Sequence, residues 1–95
     1  MSETITAAVA ALNERLSGGF AGIAKFVIEG EGSIIIDGNG ARAGDDDADV
    51  TLTASAETFE GILAGDINPT AAFMTGKLSV DGNMGMAMQL GALLS

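Results

Sequence analysis

Residues 66–94 read DINPTAAFMTGKLSVDGNMGMAMQLGALL, and this stretch decides the fold. It holds the only proline, Pro69, and every methionine except the initiator. Asn68-Pro69 predicts a short helical turn running to Phe73-Met74, because proline is preset for the first helical position. Gly76 ends that turn, since glycine tolerates the left-handed conformation of a helix exit. Lys77-Leu78-Ser79-Val80-Asp81 alternates polar and apolar, the pattern of a half-buried strand. Asp81-Gly82-Asn83 is a turn whose Asn83 caps a last helix. From Met84 to Leu94 that helix has one polar side chain, Gln89. A surface helix shows a polar face, so this one is expected to be covered on most sides, by protein, by a second subunit or by an apolar ligand. It is too short for a membrane span, which takes about 20 apolar residues.

Working outward, Asp47–Leu63 (DADVTLTASAETFEGIL) predicts a strand and then a helix. Val50 and Leu52 alternate with Thr51 and Thr53, and Ser55 is placed to cap a helix reaching Ala64, with Gly65 as its stop. Phe59, Ile62 and Leu63 form its apolar stripe. Phe20–Glu29, Ser33–Asp37 and Ala41–Ala43 read as three strands joined by the turns Gly30-Glu31-Gly32 and Asp37-Gly38-Asn39-Gly40, a meander of antiparallel hairpins. Residues 4 to 16 predict an amphipathic helix with Ile5, Val9, Leu12 and Leu16 on one face, capped by Thr4 and ended by Ser17-Gly18-Gly19. Strands and helices are segregated, which makes the chain α+β. Its 95 residues suggest a single domain over 1–95.

The chain carries thirteen acidic and four basic residues, a net charge of −9. Arg15, Lys25, Arg42 and Lys77 are dispersed, so the basic patch that nucleic acid requires is missing. Anionic membranes repel such a chain on average, which argues against strong binding to them. With no cysteine there is no disulfide framework. The acidic Glu3 and the lack of early positive charge argue against a secretory leader, and the last residues are not a Ser-Lys-Leu address. A cytoplasmic location is the expectation.

Asp45, Asp47 and Asp49 alternate as at the start of a calcium loop, but Val50 and Ala56 stand where that motif needs glycine and glutamate. A solvated loop is expected, with no metal. The chain has no His, Cys, Tyr or Trp. Nothing therefore assembles a nucleophile, base and orienter; no enzyme activity and no cofactor are expected.

The run NPTAAFMTGKLSVDGNMGMAMQL resembles the C-terminal signature of the sterol carrier protein 2, or non-specific lipid-transfer, family. That signature has a proline (Pro69), small residues before Phe-Met (Ala71-Ala72, Phe73-Met74), Gly-Lys-Leu entering a strand (Gly76-Lys77-Leu78) and Gly-polar-Met-Gly opening the final helix (Gly82-Asn83-Met84-Gly85). The resemblance implies a five-stranded, mostly antiparallel sheet with helices covering one face and an apolar tunnel between the layers. It implies binding, and by extension transfer, of fatty acyl chains or sterol-like molecules. The side chains it assigns to the lipid are Phe26, Ile34, Ile36, Leu52, Phe59, Ile62, Leu63, Phe73, Met74, Leu78, Val80, Met84, Met88 and Leu90. By spacing alone the methionines read first as core, and it is the resemblance that turns them toward a ligand, since methionine fills irregular apolar space of either kind. The other reading is a structural module whose last helix docks on a partner or on a second copy, so a homo-oligomer stays open. The chain departs from the family pattern at Ser33-Ile34, where an aromatic is common, at Met86 and Gln89, where leucine and lysine are common, and in a first helix without a basic face. Acyl-CoA is disfavoured, because phosphates favour Arg or Lys partners.

Overall fold

A computed structural model describes residues 3–16 and 20–94 of the chain. Helix boundaries fall where the side chains can satisfy free backbone groups. The Ser55 hydroxyl accepts from the Thr58 N–H at 3.1 Å and opens a helix over Ala56–Ala64; Gly65, at φ 84°, closes it. Asn68 does the same for the turn Pro69–Met74, accepting from the Thr70 N–H at 2.8 Å. Asn83 accepts from the Met86 N–H at 3.0 Å at the start of the last helix, Met84–Leu94. The first helix spans Glu3–Arg15, so Thr4 lies inside it and is not its cap; the Ser17-Gly18-Gly19 stop expected after it lies outside the described residues.

In chain order the elements are α1 (Glu3–Arg15), β1 (Ala24–Glu29), β2 (Gly32–Asp37), β3 (Gly40–Ala43), β4 (Val50–Ser55), α2 (Ala56–Ala64), α3 (Pro69–Met74), β5 (Leu78–Gly82) and α4 (Met84–Leu94). The strands form one sheet ordered β3-β2-β1-β4-β5. Only β1 and β4 run parallel, with Phe26 beside Leu52; the hairpins β1–β2 and β2–β3 and the pair β4–β5 are antiparallel. The architecture is the α+β one expected, a five-stranded, mostly antiparallel sheet with helices.

The first strand is shorter than the sequence predicts. Phe20 is buried, but the chain turns at Gly22, whose φ of 144° suits glycine, and pairing starts only at Ala24. The Phe20 N–H donates to the Asp37 carbonyl at 3.0 Å, which fixes this entry segment without extending the strand.

Period-two alternation assigns the faces. Ala24, Phe26 and Ile28 of β1, Ile34 and Ile36 of β2, and Val50, Leu52 and Ala54 of β4 join Ile5, Leu12, Phe59, Ile62 and Leu90 of the helices in one apolar core. Phe26 and Phe59 meet edge to face with ring centroids 4.4 Å apart, a geometry aromatic quadrupoles favour. The other face carries Lys25, Thr51, Thr53 and Ser79.

Ile35 is the exception on that face, for it is fully buried. It lies between Lys25 and Arg42 on the neighbouring strands. The acidic loop ties these cations down: Asp45 accepts from Lys25 Nζ at 3.0 Å, and Asp46 lies 3.5 Å from the Arg42 guanidinium, which also pairs with Asp37. The loop is therefore anchored over the sheet rather than merely solvated, although the Asp45 carboxylate still faces water. The hydrogen bond from Arg42 holds the Asp37 carboxyl below the ordinary carboxylate range, and that from Lys25 does the same for Asp45.

The covering expected of the last helix is absent from the fold itself. Of the α4 side chains described, only Ala87 and Leu90 are buried; Met84, Met88 and Leu93 are exposed.

Candidate functional site

Between the α4 side of the sheet and α2, α3 and α4 lies a partly open cavity of about 260 Å³. Its floor comes from strand positions that alternation aims at the helices: Phe26 of β1, Leu52 of β4, and Leu78 and Val80 of β5. The antiparallel register sets Leu52 opposite Val80, so two strands offer one apolar surface. Ile62 of α2 closes one side.

The mouth is shaped by α3 and α4. Asn68 and Pro69 start α3 and Gly76, at φ 80°, turns the chain out of it, so Thr70, Phe73 and Met74 sit over the floor before β5 begins. On α4 the lining residues Met84, Ala87, Met88 and Gly91 share one helix face, spaced i, i+3, i+4 and i+7. Gly91 faces Pro69, where an added Cβ would meet the Pro69 Cβ at 3.6 Å in ordinary van der Waals contact, so α3 and α4 adjoin at this point.

Of the residues that the family resemblance assigned, Phe26, Leu52, Ile62, Phe73, Met74, Leu78, Val80, Met84 and Met88 meet at this cavity. Ile34, Ile36, Phe59 and Leu90 do not: all four are buried in the core, because β2 lies on the far side of β1 from β4, Leu90 points from α4 into the packed layer, and Phe59 lies under a second hollow, between α1 and α2. Leu63 borders that separate shallow hollow, with Ala7, Ala8 and Ala11. Sequence reading missed Pro69, Thr70, Ala87 and Gly91. The last two were findable, since they complete the helical face begun by Met84 and Met88.

Among the described residues that line it, Thr70 is the one with a polar side chain, and none is titratable. Among the described residues no group of three His, Cys, Asp or Glu side chains is placed to hold a metal. Such a wall can desolvate an apolar molecule, and among the described lining residues the Thr70 hydroxyl is the one side chain able to hydrogen-bond to it.

The sequence profile of the SCP-2 sterol transfer family matches residues 4–95. A hydroxysteroid dehydrogenase-like protein 2 of Xenopus laevis is 34% identical over an alignment covering 99% of this chain and 24% of that protein. The peroxisomal multifunctional enzyme A of Dictyostelium discoideum is 45% identical over 65 residues, 68% of this chain and 14% of the relative. The chain thus spans less than a quarter of the length of these relatives. Among solved structures, sterol carrier protein 2 of Aedes aegypti, in complex with the C16 fatty acid palmitate, superposes with a TM-score of 0.79 at 22% identity, covering 100% of this chain and 97% of that one. With a family profile spanning nearly its whole length and the same sheet and helices, the chain belongs to the SCP-2 sterol transfer family.

Proposed function

We propose that this chain, acting as one unit over 1–95, binds apolar lipids, a fatty acyl chain or a sterol-like molecule, and passes them on. The observation that carries the reading is the cavity: its wall is apolar, uncharged and roofed by the methionines of an uncovered helix. Burying ten methylenes gains roughly 8 kcal/mol before losses of ligand freedom, which sets an affinity ceiling near the micromolar range. One methylene changes binding by only about 1–3 kcal/mol, so specificity among chain lengths is broad. Palmitate bound to the Aedes aegypti protein supports a single acyl chain as cargo.

The described lining residues are apolar but for Thr70, and the enzyme names among the relatives belong to proteins several times longer, so this chain's part is binding rather than chemistry. Acyl-CoA has no basic partner at the cavity. No described helix is long and apolar enough to cross a membrane, and within this reading the cavity extends on ligand entry into a tunnel and the chain works in the cytoplasm. The test is a fluorescent fatty acid titrated into the monomer. Binding near one to one, displaced by unlabelled fatty acid, is expected; no binding up to ligand solubility in a folded sample rejects the reading. Docking of α4 on a partner protein is the alternative that its exposed methionines keep open, and it predicts no such binding.

A further inference from the structure

Among the described residues the large apolar side chains left exposed are Ile23, Phe73, Met74, Met84, Met88 and Leu93. All but Ile23 lie on α3 and α4, and all of those but Leu93 also line the cavity. Phe73, Met74, Met84 and Met88 therefore form one patch around its mouth, and Leu93 lies on another side of α4. Met74 and Met88 are 78% and 74% exposed, too much for side chains that serve only as cavity wall. Contiguous apolar patches on a protein surface mark interaction sites.

Charge separates this patch from the rest of the molecule. The thirteen acidic and four basic side chains all lie outside α3 and α4, so in a chain of net charge −9 the two helices that carry the patch have no charge of their own. We propose that this patch docks transiently on a zwitterionic lipid bilayer, with Met74 and Met88 reaching into the headgroup boundary.

Three observations favour that occupant. The cavity opens within the patch, so a lipid can move between bilayer and protein without crossing water. The two uncharged helices bring no ion of their own to desolvate at a zwitterionic surface, whereas the surrounding acids are repelled by an anionic one, increasingly so at low salt. A second copy on the same patch would close the mouth and bring two strongly acidic molecules together. Apolar area buried at the headgroup boundary then sets the strength of docking, with no basic residue on α3 or α4 to add to it.

This inference rests on the lipid-binding reading, and its test separates the two. Flotation with phosphatidylcholine vesicles is compared for the unaltered chain, Met74→Glu/Met88→Glu, the uncharged pair Met74→Gln/Met88→Gln, and Ile23→Glu. Fluorescent fatty-acid binding without vesicles and sedimentation velocity are run in parallel. The unaltered chain should float with the vesicles; the glutamate pair should lose binding by at least about fivefold and the glutamine pair by less. Ile23→Glu, off the patch, should float like the unaltered chain. Replacing part of the phosphatidylcholine by phosphatidylglycerol should weaken binding at low salt. If the chain binds the soluble probe but ignores vesicles, or if Ile23→Glu is as damaging as the glutamate pair, docking is wrong while the cavity reading stands. A concentration-dependent dimer lost in the glutamate pair assigns the patch to a second copy and overturns the proposal. Vesicle binding without probe binding leaves docking standing and removes the cavity reading.

Discussion

The first helix and the last invert the usual relation between hydrophobicity and burial. α1 is the more polar, with Thr4, Thr6, Asn13, Glu14 and Arg15 among its thirteen residues, yet it buries Ile5, Ala8 and Leu12 in the core. α4 has one polar side chain in eleven residues, yet only Ala87 and Leu90 of those described are buried. An ordinary surface helix is as apolar as its packed face requires. α1 meets that rule. α4 exceeds it, and the surplus at Met84 and Met88 lies around the cavity mouth. Apolar surface beyond what packing uses points to something other than the fold that covers it, and the position of the surplus says where.

The sharpest way to break this comparison is to cut one side chain on each helix. Leu12 is fully buried, and Leu12→Ala should cost about 2–5 kcal/mol. In a domain this small each kcal/mol lowers the Tm by about 4–8 °C. Met88→Ala, at a site open to water, should cost less than about 0.5 kcal/mol. Thermal melts of both variants decide the matter. Equal losses would mean that α4 is packed as α1 is, and the argument from surplus would fall.

A polar substitution turns the same contrast toward function. Met88→Gln should weaken fatty-acid affinity by at least about tenfold, or roughly 1.4 kcal/mol, while the ligand-free Tm barely moves because water reaches the new amide. In dry core an unpaired amide would cost about 1–3 kcal/mol and the melt would show it. A large fall in Tm with unchanged affinity of the folded fraction would place Met88 in the core. The next effect is smaller still. With no cation at the cavity, a fatty acid and its CoA thioester should bind within about tenfold of each other by calorimetry at low salt, and a thioester advantage beyond that would reveal a phosphate site.

Most of the fold was legible because local chemistry and tertiary packing agree. Ser55, Gly65, Asn68, Pro69 and Gly76 punctuate the chain as their side chains and dihedrals demand, and strand alternation assigned the buried face of β4 correctly. What was not legible is what depends on strand order. Ile34 and Ile36 alternate just as Leu52 and Val80 do, but β2 lies beyond β1 and away from the cavity, a fact of topology that no local pattern carries. Phe59 and Phe73 look alike in sequence; one is sealed against Phe26 and the other stands at the mouth. The stretch 20–23 was read as strand because its side chains alternate, yet Gly22 turns the backbone there.

The smallest effect lies on the other side of the sheet, where polar residues and ion pairs take the place of the apolar mouth. Asp37 and Asp45 are held below the ordinary carboxylate range by Arg42 and Lys25. A carboxyl whose pKa is lower folded than unfolded stabilises the fold above its unfolded value, about 3.9, and loses that contribution as the pH falls through the folded value. Both groups are exposed, so the pairs are screened by water and salt. The double variant Asp37→Asn/Asp45→Asn should therefore melt slightly below the unaltered chain at pH 7, and the gap should close as the pH falls through the lowered carboxyl range and both groups are protonated. Added salt at pH 7 should narrow the gap as well. Lipid affinity should not change, because neither aspartate touches the cavity. A gap that persists unchanged in acid would mean that the asparagines disturb the packing of the loop against Ile35, and that the far face is held by shape rather than by charge.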